Sequence, residues 1–153
     1  MILCVGKLKE KFYINAAAEY VKRLSRFCDL KILEIPETRL PADPSPARID
    51  AALYQESELL ISKIPRDAYI ISLCIEGVKT SSVQFAEWIK SHETQPTAFL
   101  IGGSYGLHER IKILSHTRLS MSDMTFPHHL ARVMLLEQIY RACQINSGGR
   151  YHK

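Results

Sequence analysis

The stretch Ala98-Phe99-Leu100-Ile101-Gly102-Gly103-Ser104-Tyr105-Gly106-Leu107 sets the architecture. Four apolar residues run into a glycine-rich turn, and a helical pattern follows to Leu114, which reads as buried strand, tight turn and helix. Glycine serves such a turn in either of two ways: it allows the backbone a sharp reversal, or it removes the Cβ atoms that would keep a ligand off the backbone. Outward from this stretch the same alternation repeats. Residues 1–5, 30–35, 68–75, 98–101 and 117–121 are the predicted strands, and 13–27, 47–63, 82–91, 107–114 and 128–145 the predicted helices. Strand and helix in turn imply an α/β fold, a mainly parallel sheet with helices on both faces. Ligands of such sheets bind beyond the strand C-termini, where the glycine turn falls.

With 153 residues, 46% of them hydrophobic, the chain can bury one core, so residues 1–153 are expected to form a single domain. Pro36, Pro41, Pro44 and Pro46 make the connection after the second strand irregular, stiff and exposed. The net charge of +4 leans mildly toward polyanionic partners. Arg150, His152 and Lys153 close the chain without an acid, which suits phosphate contacts or a solvated tail. Cys4, Cys28, Cys74 and Cys143 show no C-x-x-C spacing and are expected to be buried free thiols of a reducing, cytoplasmic setting. No apolar run approaches membrane-spanning length, so no membrane association is expected. The last helix is apolar nearly all round: Leu130, Val133, Leu136, Ile139, Tyr140 and Cys143 line one face, and Ala131, Met134, Leu135, Ala142 and Ile145 widen it. Such a helix needs cover from more than the sheet, from a partner subunit or from a central position in the core.

Familiar nucleotide motifs are absent. A P-loop needs Lys and then Ser or Thr after its second glycine, whereas Leu107-His108-Glu109 follows here. A dinucleotide fingerprint belongs after the first strand, where only Gly6 stands before Lys7. The six histidines lack metal-ligand spacing, so no metal is expected, and Gly103-Ser104-Tyr105-Gly106 is no nucleophile elbow. The second signal is Leu119-Ser120-Met121-Ser122-Asp123-Met124-Thr125-Phe126-Pro127-His128, leading into the last helix. Thr125 as a cap and Pro127 in the first turn account for it structurally. They leave the crowding of His128, His129 and Arg132 unexplained.

Gly6-Lys7-Leu8-Lys9-Glu10, Ser72-Leu73, Ile101 through Leu107, Met124-Thr125-Phe126-Pro127-His128 with Arg132, Glu137-Gln138-Ile139-Tyr140-Arg141-Ala142, and Tyr151-His152-Lys153 together closely resemble the RlmH family. These are 23S rRNA pseudouridine N3-methyltransferases of the SPOUT, or α/β-knot, superfamily, and the resemblance spans the whole chain. It implies a C-terminal deep trefoil knot, S-adenosylmethionine as methyl donor, a homodimer, and 23S rRNA in assembled ribosomes as substrate. By matching motif, Leu73, Gly102, Met121, Ser122, Asp123, Met124, Thr125 and Phe126 are the implied cofactor contacts. His128 and Arg132, at the mouth of that loop, are the candidates for orienting the base or stabilising its anion. Tyr151 is the candidate for stacking on the target base, with Tyr105 second, and Arg150 and His152 belong to the same RNA-binding set. The stretch 38–47, Cys4, Cys74 and His129 depart from the family pattern, but none touches the matching blocks. Two other functions share the motifs: a knotted methyltransferase acting on another RNA such as tRNA, and a ribosome-binding module without catalysis.

Overall fold

The computed structural model describes residues 1–149. Among these, the elements run β1 (Ile2–Val5), α1 (Lys11–Leu24), β2 (Ile32–Ile35), α2 (Pro46–Lys63), β3 (Tyr69–Lys79), α3 (Ser82–Ser91), β4 (Thr97–Ile101), α4 (Glu109–Leu114), β5 (Thr117–Ser120) and α5 (His128–Asn146). The strands form one sheet in the order β2-β1-β4-β3-β5, and every neighbouring pair is parallel. Connections that carry the chain from β1 to β2 and from β3 to β4 place α1 and α3 on one face. Those running the other way, from β2 to β3 and from β4 to β5, place α2 and α4 on the opposite face, as a uniform crossover hand requires.

Strand alternation divides the core in two. Ile2 and Cys4, Ile71, Phe99, Ile101 and Leu119 pack under α1, α3 and α5 through Ala17, Leu24, Phe85, Ala86, Leu135, Leu136, Ile139 and Ala142. Leu3 and Val5, Ile35, Ile70 and Leu100 face Leu60 of α2 and Leu107 and Ile111 beside and within α4. Central strands buried on both faces are why their sequences read as unbroken apolar runs. Within α5, Arg132, Leu135, Leu136, Ile139 and Ala142 are buried, and Leu130, Val133, Met134 and Ile145 stay half-buried.

Local chemistry moves several boundaries. The expected helix 107–114 begins only at Glu109, because His108 is extended and its imidazole accepts the Arg110 N–H as a cap. The expected helix 13–27 starts at Lys11 and ends at Leu24, and Phe27 and Cys28 turn back onto the Leu24 carbonyl. Helix α3 opens with a reciprocal capping box between Ser81 and Gln84. Thr125 does not cap α5: Pro127 holds the cap position without a side-chain bond, and its carbonyl accepts the Ala131 N–H at 2.9 Å. Strand β3 runs four residues past the expected end at Ile75, since Leu73 and Val78 both face Leu119 of β5 and residues 74–77 bulge out between them. Of the cysteines only Cys4 is buried, with its thiol pushed up to about 12 by burial, while Cys28 is exposed and Cys74 and Cys143 are half-buried. Among the described residues no helix is long and apolar enough to cross a membrane.

Candidate active site

At the C-terminal ends of β3, β4 and β5 lies a cavity of about 410 Å³. Three chain segments line it: the β3 bulge from Leu73 to Glu76, the glycine loop from Ile101 to Leu107, and the stretch that follows β5, with Met121, Ser122, Met124, Thr125 and Phe126. His128 and Ala131, on the first turns of α5, complete the wall. The two segments that sequence singled out thus share one cavity.

The glycine loop owes its shape to itself. A Cβ on Gly102 would stand 2.1 Å from the Gly106 carbonyl oxygen, so the loop closes only over glycine there. Gly106 has φ +82, the left-handed region, and its N–H donates to the Gly103 carbonyl at 3.1 Å. Intraloop packing alone therefore requires Gly102, whatever binds nearby.

Among the described residues the cavity has no phosphate clamp. Lys112 reaches it, but its ammonium is held by Glu76 at 2.5 Å and Glu109 at 2.8 Å. Burial pulls the Lys112 pKa down, the bonds to Glu109 and Glu76 outweigh it, and the charge is kept and matched locally. Leu73, Ile101, Leu107, Leu119 and Met121 supply apolar wall, with Ser104, Ser120 and Ser122 at its polar points. A volume of this order, its apolar wall interrupted by serine, threonine and histidine side chains, fits a heterocycle carried on a small polar moiety.

The candidate residues separate into three groups. Leu73, Gly102, Met121, Ser122, Met124, Thr125, Phe126, Tyr105 and His128 are all on the cavity wall, with Tyr105 47% exposed at its rim. Asp123 is not part of the wall: it is exposed and its carboxylate pairs with Lys79 at 2.5 Å. Arg132 does not line the cavity either. It is 1% exposed, and its guanidinium donates to Glu34 and to the Gly6 carbonyl at 2.8 Å, tying the first turn of α5 to the ends of β1 and β2. Arg132, expected at the mouth of the loop, is thus placed behind the cavity wall, engaged with Glu34 and the Gly6 carbonyl. Arg150, Tyr151 and His152 lie outside the described residues.

His128 sits at the boundary between cavity and core. Its Nε2 is buried without a hydrogen-bond partner. Burial first, then the neighbouring His129, holds its pKa below the ordinary histidine value, so the imidazole is neutral at pH 7 and keeps a lone pair. The His129 ring stands 4.0 Å away, edge-on, and its Nδ1 lies 3.5 Å from Glu10.

One contact escaped the motif reading. Glu37, in the proline-rich connection, accepts the Ser104 N–H at 2.8 Å. Thr38 and Leu40 border a small pocket with Ser104 and Tyr105, so the connection that departs from the family pattern does abut the glycine loop. No local signal marks an exposed Glu in a loop; only its 67-residue reach to Ser104 does.

Comparison with known proteins agrees with this geometry. A ribosomal RNA large subunit methyltransferase H of Streptococcus uberis is 42% identical over 155 residues, which cover 99% of this chain and 98% of that protein. Among solved structures, a probable methylase family protein of Haemophilus influenzae has a TM-score of 0.57 at 12% identity, covering 99% of this chain and 69% of that one. A ribosomal RNA small subunit methyltransferase E of Neisseria gonorrhoeae, bound to S-adenosyl methionine, has a TM-score of 0.50 at 12% identity over 95% of this chain and 65% of that one. At such identities the two structures speak for the fold alone. The family model described as "Predicted SPOUT methyltransferase" matches residues 1–152, so the sequence match and the parallel sheet with its glycine-loop cavity meet in one statement: this chain belongs to the SPOUT methyltransferase family.

Proposed function

We propose that this protein transfers the methyl group of S-adenosylmethionine to N3 of a pseudouridine in 23S rRNA of the bacterial ribosome, acting as a homodimer with the family's C-terminal trefoil knot. The observation that carries the reading is the joining of the glycine loop with Met121, Ser122, Met124, Thr125 and Phe126 around one cavity that has no phosphate clamp among the described residues. Leu73, Gly102, Met121, Ser122, Met124, Thr125 and Phe126 would hold the methyl donor, whose sulfonium supplies an activated methyl carbon and a neutral leaving group. Asp123, turned to Lys79, would serve the loop's shape.

The chain's own task is mainly alignment, since bringing N3 into line with the methyl carbon removes most of the entropic barrier. N3 bears a proton that must leave before its lone pair can form the new bond, while the carbon–sulfur electron pair returns to sulfur. His128, neutral and with Nε2 free of any partner among the described residues, is suited to orient the base and take that proton. Arg132 seats His128 by fixing the start of α5. Tyr105, at the rim, can stack on an unstacked base, as can Tyr151. Half-buried Leu130, Val133 and Met134 on α5 support a second copy as the helix's remaining cover.

The test is incubation with labelled methyl donor and RNA in four forms: naked 23S rRNA, free large subunits, whole ribosomes and tRNA. Label on rRNA of assembled ribosomes is expected. Label confined to tRNA would shift the reading to another RNA, and rRNA binding without label would make the chain a non-catalytic module.

A further inference from the structure

Glu37 stands where three parts of the site meet. It follows β2 in the proline-rich connection, and its Oε1 accepts the Ser104 N–H at 2.8 Å, so one carboxylate oxygen fixes the glycine loop. A Cβ on Gly103 would lie 2.7 Å from that same oxygen, which shows how closely the carboxylate is pressed against the loop backbone. The other oxygen, Oε2, lies 3.6 Å from where a side chain on Gly6 would begin, and His128 Nε2 lies 3.6 Å from the same point. Gly6 has φ +80 and carries no side chain, so Glu37 Oε2 and His128 Nε2 both border the space that a side chain there would fill. That Nε2 is one of three buried side-chain polar atoms without a hydrogen-bond partner among the described residues, with Ser72 Oγ and Arg132 Nε.

We propose that Glu37 is a positioning residue of the methyl-transfer site: one oxygen holds the glycine loop through Ser104, and the other, across Gly6, sets the charge that His128 can carry. The proposal rests on the methyltransferase reading above and adds to it the residue that couples cofactor loop and proton acceptor. When the base is methylated, the N3 proton passes to His128 Nε2, the N3 lone pair forms the bond to the methyl carbon, and the carbon–sulfur pair stays with sulfur. An imidazolium then stands in a partly buried place, and a fixed carboxylate beside it lowers the cost of that charge.

The groups facing His128 bear this out in sign. Glu37 and Glu10 favour its charged form, whereas His129 and Arg132 oppose it, and Arg132 is itself engaged by Glu34. Burial pushes the Glu37 carboxyl up, but the Ser104 bonds and the charges of His128 and His129 outweigh it, leaving Glu37 below the ordinary carboxylate value and ionised at neutral pH. Glu56, the other carboxylate near this connection, is occupied by the Thr38 N–H at 2.7 Å and is raised by burial, so it does not substitute.

Three variants of the full chain separate the two halves of the role. Glu37→Gln keeps the acceptor for Ser104 and removes the charge: KM for S-adenosylmethionine is expected to stay within about twofold while kcat falls about tenfold. In the same variant the His128 titration midpoint, followed by NMR on histidine-labelled protein, falls by about half a pH unit, as does the acidic limb of the kcat profile. Glu37→Asp keeps the charge on a shorter arm, so the midpoint returns toward the wild-type value while cofactor binding by calorimetry weakens about threefold. Glu37→Ala loses both, and binding weakens about tenfold. If Glu37→Ala fails to fold by circular dichroism, the Gln and Asp pair still decides. Wild-type protein that neither binds S-adenosylmethionine nor transfers its methyl group removes the methyltransferase reading and this inference with it. Wild-type protein that does both, with a Glu37→Gln variant unchanged in His128 midpoint and kcat, removes this inference alone.

Discussion

Gly102 and Arg132 show how single residues shape this site through contacts within the chain. A methyl group on Gly102 meets backbone oxygen, carbon and Cα of Gly106 within 2.9 Å, atoms that cannot step aside as a flexible side chain would. Gly102→Ala is therefore expected to cost about 1–3 kcal/mol of stability and at least about tenfold in cofactor affinity, measured by thermal unfolding and calorimetry. Arg132 is a buried cation with two partners, and removing it leaves the Gly6 carbonyl without this donor and Glu34 with only the Leu8 N–H, at 3.2 Å. Arg132→Met should lower stability in urea by about 3 kcal/mol, near the low end for a broken buried pair because Glu34 keeps some water, and adding Glu34→Gln should recover part of the loss. A guanidinium that contacted substrate would instead leave stability nearly intact.

At the scale of the element, the bulge in β3 and the cap of α3 have separable consequences. Residues 74–77 leave the β3–β5 ladder, Cys74, Ile75 and Glu76 become cavity wall, and Gly77 lies so close to the Arg118 backbone, 2.7 Å from a Cβ placed there, that the bulge admits no side chain at that point. The bulge is thus part of the site's construction, as such irregularities near sites often are. Ser81 of the α3 cap is not on the wall of the glycine-loop cavity, although it borders a smaller pocket with Leu119, Ser120 and Met121. Ser81→Ala removes the acceptor of the Gln84 N–H and is expected to cost about 1 kcal/mol, read from denaturant midpoints, while cofactor affinity stays within error. A matching loss of affinity would mean that α3 transmits its end geometry to β5.

For the whole molecule, the shifted groups set how stability responds to acid. His128 lies below the ordinary histidine value in the folded state, so only well above pH 6.5 is it neutral in both states and without effect on the pH dependence. As pH falls below that, the unfolded chain takes up the proton first and stability declines. Glu37 and Glu76, both lowered, hold stability that is complete above the ordinary carboxylate value and is lost as pH falls through their folded values. Unfolding free energy is expected to decline already as pH falls below about 8, where the lowered N-terminal amine and Cys28 thiol take part, then further below about 6.5 through His128 and below about 4.5 through the carboxylates, followed by urea titration at each pH. His128→Gln should remove the decline that begins near 6.5 and keep the others.

Alternating strands and helices, the two-faced sheet and the glycine turn were all readable before any coordinates, because apolar periodicity and turn chemistry are properties of neighbouring residues. The same holds for the two cavity segments, each a recognisable local block. Strand order, the 74–77 bulge, the Lys112 neutralisation, the burial of Arg132 and the reach of Glu37 to Ser104 belong to folded contacts. These join residues up to 126 positions apart, as between Arg132 and Gly6, and a side chain's role there depends on what the fold sets beside it. A charged residue in sequence is equally a substrate contact, a helix clamp or a loop anchor, and burial together with hydrogen-bond partners picks one.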